Sequence, residues 1–550
     1  MTTAVVREAP AVTQARRPAS DTLAGIGAVL RLVLRRNRVR LAVWLVVAVG
    51  LFAYVGAYYT ETFTTQESLD DFATLSDTPA IKALTGLAAA PATLGGAVWT
   101  KVWMTATLAL AFGVVFLVTR NGRADEEAGR TELLRSRMLG LHAYSAASWL
   151  VKAVLCVAVG LGVAAVSVSG GLDPDGAGIT GSLVLGASVT GVGLVALGVG
   201  AVAGQVATTS RGANALGSAV LGGFYVLRMV GDLGDGRLTW ASPIGWGQEM
   251  APWGANRWWP LALHVTLAAG LLALARWLEG RRDLGSGLLR ERPGPADAPR
   301  RYASPLGLAL RLQRGPIIGW TITVVLCALM FGSVVDAMTD LLDDAGDTVT
   351  AMMRGVGVDA LLSLLMVMMA MITTVFALQS AVSLRTDEAS GIIEPQLAGA
   401  VSRRRWAAER LVIPAVGAVV LLALGGACTG YGYGALIDDP GQTGRLTLAA
   451  LTYWPAVMVL VGVAVALFGW VPRLAVPLTW GVLAAMWFVV MIGEALNLPD
   501  WLVEVLPFSA TPYQPAEPMS WPPVLAMTAV AGALIWSGLD RFARRDVVPG

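Results

Sequence analysis

RADEEAGRTELL at residues 123 to 134 returns as RTDEASGIIEPQ at residues 385 to 396, and this recurrence decides how the chain is built. The offset is 262 residues, and it aligns Arg123 with Arg385, Asp125 with Asp387, Glu126 with Glu388, Gly129 with Gly391 and Glu132 with Glu394. The same offset pairs Tyr144 with Trp406 and Trp259-Pro260 with Trp521-Pro522, and an offset of 263 pairs Arg281-Arg282-Asp283 with Arg544-Arg545-Asp546. Near the start of each half, Arg35, Arg38 and Trp44 match Arg311, Arg314 and Trp320. Such internal self-similarity marks a duplicated unit.

The background is apolar. Of the 550 residues 55% are hydrophobic and 14% charged, with mean hydropathy +0.63, where a soluble domain carries about 25% charge. A helix needs about 20 apolar residues to cross the hydrocarbon layer. Twelve such runs are centred near residues 50, 109, 157, 192, 220, 268, 326, 372, 420, 457, 483 and 530. The chain therefore reads as an all-α polytopic membrane protein of twelve transmembrane helices. Six fall in each half, and an even number gives both halves the same orientation, a parallel repeat with a central pathway implied between halves. Residues 1–283 form the first half, 284–303 a Pro- and Arg-rich cytoplasmic linker, and 304–550 the second half. The first twenty residues lack the apolar core of a signal peptide.

Basic loops stay inside. With the amino terminus inside, 32 of 37 Arg fall on the cytoplasmic side, leaving Arg228, Arg237, Arg257, Arg354 and Arg445 outside. Both termini are thus expected in the cytoplasm, with the protein in the cell membrane. Leu23, Ile26, Leu30 and Val33 share one helical face and Arg31, Arg35 and Arg38 another, as expected of an interfacial elbow helix. Trp240, Trp246, Trp253, Trp258 and Trp259 crowd the segment before span 6 among Pro243, Gly245, Pro252 and Gly254, which fits either an aromatic belt or a re-entrant hairpin.

The repeated loops follow spans 2 and 8. On one continuous helix Asp125, Gly129 and Glu132 lie at i, i+4 and i+7, so one face is acidic with a glycine in it. A missing side chain admits another surface, and carboxylates beside it accept bidentate bonds from Arg. Arg123, Asp125, Glu126, Gly129 and Glu132, with Arg385, Asp387, Glu388, Gly391 and Glu394, are the candidate docking residues. The same carboxylates also suit a structural role, neutralising the Arg of the elbow segments and Arg135 and Arg137.

On these motifs the chain resembles the membrane subunits of ATP-binding-cassette (ABC) exporters of the type V fold. Their six-helix domains carry an elbow helix, an acidic E-x-G-x-x-E-like coupling helix between spans 2 and 3, and an outer hairpin between spans 5 and 6. The fused twelve-span form is similar to actinobacterial antibiotic-efflux permeases of the tetronasin-exporter kind. Pro395, standing where the first half has Leu133, departs from the pattern and predicts a shorter second docking helix. The resemblance implies a permease subunit of an efflux transporter, energised by two copies of a soluble ABC ATPase, or two related ones, docking on the coupling helices. ATP and Mg are then held by those partners. Lys82, Lys101 and Lys152 are the chain's only lysines and none follows a Gly, so no GxxxxGK[ST] loop exists to bind ATP here.

Other classes fit less well. A proton-coupled major-facilitator-like carrier also has twelve spans in parallel halves and is the alternative reading. However, Asp125 comes three residues after Gly122 rather than four, and convincing mid-membrane carboxylates are lacking. Lys152 and His264 are candidate intramembrane polar sites, with a snorkelling Lys and a hydrogen-bonded core His as the favoured readings. Cys156, Cys327 and Cys428 lie singly in apolar runs, His142 and His264 stand far apart, and no HExxH occurs, which argues against a metal site or a membrane enzyme. Nothing suggests a nucleic-acid partner. Few charges in the spans suit a small hydrophobic or amphiphilic substrate, an antibiotic or a lipid. Met366, Met368, Met369 and Met371 in span 8 offer an adaptable apolar surface for it, or ordinary helix packing.

Overall fold

A computed structural model describes residues 21–547 except 78, 136–138, 174–177, 284, 289–296, 298, 300, 301, 303, 345–357, 400 and 493–505. The first twenty residues and most of the expected linker lie outside the described residues. The chain divides into two compact units, Met1–Pro293 and Gly294–Gly550. Every regular element among the described residues is a helix, because helices satisfy backbone polar groups within the segment where no water reaches them.

In the first unit α1 (Ile26–Thr62) is span 1, followed by the short α2 (Gln66–Ser76) and α3 (Pro79–Thr85). Span 2 combines α4 (Leu94–Val98), a π-helical turn (Trp99–Trp103) and α5 (Met104–Arg120). The repeated loop folds as α6 (Arg123–Glu127) and α7 (Arg130–Arg135). Spans 3, 4 and 5 are α8 (Ala143–Ser169), α9 (Thr180–Val206) and α10 (Ser210–Leu233). Then come the short α11 (Pro243–Glu249) and span 6, α12 (Trp259–Glu279). The most buried span is α9, packed against α5, α8, α10 and α12. Glycines permit this: a Cβ on Gly186 would lie 2.2 Å from the Gly160 carbonyl of α8, so the two backbones touch.

In the second unit spans 7 and 8 are α13 (Pro305–Asp344) and α14 (Val358–Ala389), and the loop helix is α15 (Ile393–Leu397). Span 9 is α16 (Arg403–Leu436). Span 10 is split at Thr452–Tyr453 into α17 (Gly441–Leu451) and α18 (Trp454–Trp470), where Pro455 opens the new helix. Spans 11 and 12 are α19 (Ala475–Ile492) and α20 (Trp521–Arg544). Eleven of the twelve expected runs are helices long and apolar enough to span, and the run near residue 483 is a shorter apolar one.

One local expectation is corrected. The elbow segment is no separate helix: α1 is one run of 37 residues, about 55 Å at 1.5 Å per residue, because no helix breaker stands between Arg31 and Trp44. Its apolar face packs inward, with Val29 and Val33 buried against Tyr144, Ala147 and Val151 of α8. Before span 6 the chain folds into short helical pieces. Pro243, Ile244, Gly247 and Gln248 of α11 are buried against α9 and α12, and Trp253 donates to Asp173 at 3.1 Å. Trp258 and Trp259 are exposed, as aromatic-belt residues are.

Candidate functional site

The loop after span 2 begins where Asn121-Gly122 stops α5. Gly129, at φ +68°, then separates α6 from α7. This left-handed conformation costs other residues about 1–2 kcal/mol. In the second unit Ser383-Leu384 replaces Asn121-Gly122, so α14 runs on through Arg385, Asp387 and Glu388 before Gly391, at φ +74°, ends the turn. The expected continuous acidic helix is therefore not formed. Each loop is helix, glycine, helix, and the carboxylates on the two sides of the glycine face different ways. Pro395 lies in the first turns of α15, which has five residues against six in α7.

The carboxylates before each glycine turn inward. Asp125 is fully buried and receives two bonds from Arg36 (2.6 and 2.8 Å), one from Arg130 Nε (2.8 Å) and one from the Tyr144 hydroxyl. Glu126 receives Arg123 Nη1 at 2.8 Å and a bidentate pair from Arg282, Nη2 to Oε1 at 2.5 Å and Nη1 to Oε2 at 2.7 Å. Arg123 is itself buried and also donates to the Ala207 and Ser286 carbonyls. Glu127 caps α10 by accepting from Ser210 N and Oγ. The loop is thus fastened to α1, to α10 and to the chain just beyond α12.

The second unit repeats the central grip. Buried Glu388 receives Arg385 Nη1 at 3.2 Å and a bidentate pair from Arg545 at 2.5 and 2.9 Å. Arg545 also donates to the Phe468 carbonyl at the end of α18. Asp387 is held by Arg410, which stands one repeat after Ser148. In both units a guanidinium just past the last span grips the glutamate of the loop. Arg282 and Arg545 were visible as a repeated Arg-Arg-Asp, but no spacing rule tells that they reach back 156 and 157 residues. Charge-assisted bidentate bonds in such burial are strong and directional.

Beyond each glycine the surface is open. Glu132 and Glu394 are exposed, as are Leu133 (73%) and Ile392 (44%). The candidate docking residues thus divide into an inner set that locks the loop and an outer set that faces away from it.

The span-8 methionines, Lys152 and His264 are mostly buried. Met366, Met369 and Met371 are buried in the second unit's core and Met368 is half-buried; Met369 packs against Gly425 of α16. These contacts lie within the second unit's own core. Lys152 does not snorkel: it is fully buried and donates to Asn121 Oδ1 (2.8 Å) and Ser148 Oγ (2.9 Å). The His264 ring nitrogens lie 3.0 and 2.8 Å from the Pro260 and Pro243 carbonyls. Sequence reading missed one buried ion pair, Arg228 with Asp232 on α10 (3.0 Å), which also ties in the Lys82 carbonyl, Thr239 and Gln248. Among the described residues no group of His, Cys, Asp and Glu is placed to hold a metal.

Two comparisons with known proteins agree. Residues 302–543 match the family described as the C-terminal domain of the multidrug efflux system permease Rv1217c. The whole chain is similar to the multidrug efflux system permease protein Rv1217c of Mycobacterium tuberculosis (strain ATCC 25618 / H37Rv). The two are 35% identical over 554 residues, covering 99% of each chain.

Proposed function

The chain belongs to the same family of multidrug efflux permeases as Rv1217c, and from that premise we propose that it is the membrane subunit of an ATP-driven exporter of hydrophobic or amphiphilic molecules. Separate ATPase subunits, two copies or two related chains, dock on the loops after spans 2 and 8 from the cytoplasm, where both termini also lie. The observation that carries this reading is the repeated grip of Arg282 on Glu126 and of Arg545 on Glu388. A loop bound so tightly to the end of the last span in its own unit cannot move alone. A push on the exposed Glu132 and Leu133, or on Glu394 and Ile392, is passed through two parallel hydrogen bonds to the end of α12 or α20. The outer set is the docking surface and the inner set the transmission.

The test is purification of the tagged chain from its native membrane in mild detergent, followed by identification of what accompanies it. A stoichiometric soluble ATPase with a phosphate loop, its hydrolysis stimulated by hydrophobic antibiotics, is expected. A chain that comes down alone and transports in response to a proton gradient would instead make it a secondary carrier.

A further inference from the structure

Four guanidinium groups meet where α1, α5 and α10 converge, and only two of them are used by the loop. Arg36 and Arg130 both bind Asp125. Arg40 and Arg120 have no acidic partner within 4.0 Å among the described residues, and both line an open cavity of about 490 Å³. Each helix at this cavity presents an i, i+4 pair on one face. On α1 it is Arg40 and Trp44, on α5 Phe116 and Arg120, and on α10 Ser210 and Asn214.

The directions of the chains give the cavity a polarity. Trp44 lies one turn deeper into span 1 than Arg40, and Phe116 one turn deeper into span 2 than Arg120. The cavity is therefore cationic at the end of the spans and aromatic toward the bilayer interior. The Trp44 ring lies against Gly113, where an added Cβ would meet it at 2.3 Å. Asn214 Oδ1 accepts from Thr119, which leaves its amide N–H groups for an acceptor. Glu127 is engaged with Ser210 N and Oγ.

We infer that this cavity binds one anionic phospholipid, its phosphate between Arg40 and Arg120 and its acyl chain along Trp44 and Phe116. Two guanidiniums with no carboxylate within 4.0 Å among the described residues, above an apolar wall at a membrane boundary, match a phosphate headgroup with a tail. The duplication argues that the fold itself does not require these charges. The registers that align Trp44 with Trp320 and Asp125 with Asp387 place Pro316 and Val382 at the two arginine positions. The site therefore occurs once per chain. It does not depend on the energy source of transport.

The experiment uses the full chain in nanodiscs of phosphatidylcholine containing one tenth phosphatidylglycerol, with lipids retained after ejection counted by native mass spectrometry. One phosphatidylglycerol per chain, enriched at least ten-fold over its bulk ratio, is expected. Arg40→Gln with Arg120→Gln abolishes the enrichment, Arg40→Lys with Arg120→Lys keeps most of it, and Arg473→Gln, at an exposed arginine elsewhere, leaves it unchanged. No enrichment by the wild-type chain would overturn the inference without any variant. Enrichment that survives the double Gln variant would do so too, as would displacement of the lipid by millimolar inorganic phosphate.

Discussion

Replacing Arg282 by Ala tests whether the loop after span 2 is truly fastened to the end of span 6. The change removes both bonds to Glu126, at 2.5 and 2.7 Å, and the bond from Nε to Gln205 at 2.6 Å. The two side chains are only 5% and 7% exposed. Removing one partner of a buried pair costs about 3–5 kcal/mol. Glu126 keeps Arg123 at 2.8 Å, so the lower end, about 3 kcal/mol, is expected. At 1.4 kcal/mol per factor of ten this raises the population of the opened loop roughly 100-fold. Hydrogen exchange in detergent reads that population directly at the amides of α6, while amides in the middle of α9 keep their protection. Arg281→Ala, at an exposed neighbour that sits over the Trp277 ring, serves as the control and leaves α6 unchanged. Exchange at α6 within three-fold of wild type would refute the fastening, and acceleration spread evenly over α9 would show a general loss of stability instead.

Further expectations concern the glycines, the outer pair and the docking surface. Gly129→Ala and Gly391→Ala meet no atom within 4 Å, so each costs only the left-handed penalty of about 1–2 kcal/mol; thermal unfolding should fall by a few degrees without loss of monodisperse protein. Arg228→Ala leaves buried Asp232 with Thr239 and Gln248 but no cation, costs about 3 kcal/mol, and should lower the aggregation temperature in detergent beyond either glycine variant. Glu132→Arg with Glu394→Arg alters only exposed positions; the chain should fold as wild type but lose at least ten-fold in ATPase association, measured by quantitative co-purification.

The spans were legible because runs of about 20 apolar residues favour helices, and eleven of the twelve runs are helices long and apolar enough to span; the repeat was legible because charges are scarce enough for five coincidences at one offset to stand out. The elbow was misjudged because amphipathicity reports which face is buried, not where a helix ends; α1 simply continues. The loop was half legible. Helical spacing put Asp125, Gly129 and Glu132 on one face, whereas Gly129 at φ +68° turns the chain between them. That left-handed turn is a tertiary choice that a glycine permits but does not announce. The carboxylates looked available for a partner because their own partners, Arg36 and Arg282, lie 89 and 156 residues away in sequence. An Arg at Glu126 would accordingly disrupt the loop itself, so Glu132 and Glu394 are the sharper probes of docking. Lys152 read as snorkelling, but Asn121 at the end of span 2 and Ser148 one turn earlier on its own helix hold it inside.

The most direct test of the account is transport in proteoliposomes holding the chain with its co-purified partner, loaded with a fluorescent hydrophobic antibiotic and given either ATP or a proton gradient. ATP alone should drive movement of the drug, and Arg282→Ala with Arg545→Ala should uncouple it while hydrolysis continues. Movement driven by the gradient alone, indifferent to ATP and to both arginines, would contradict it.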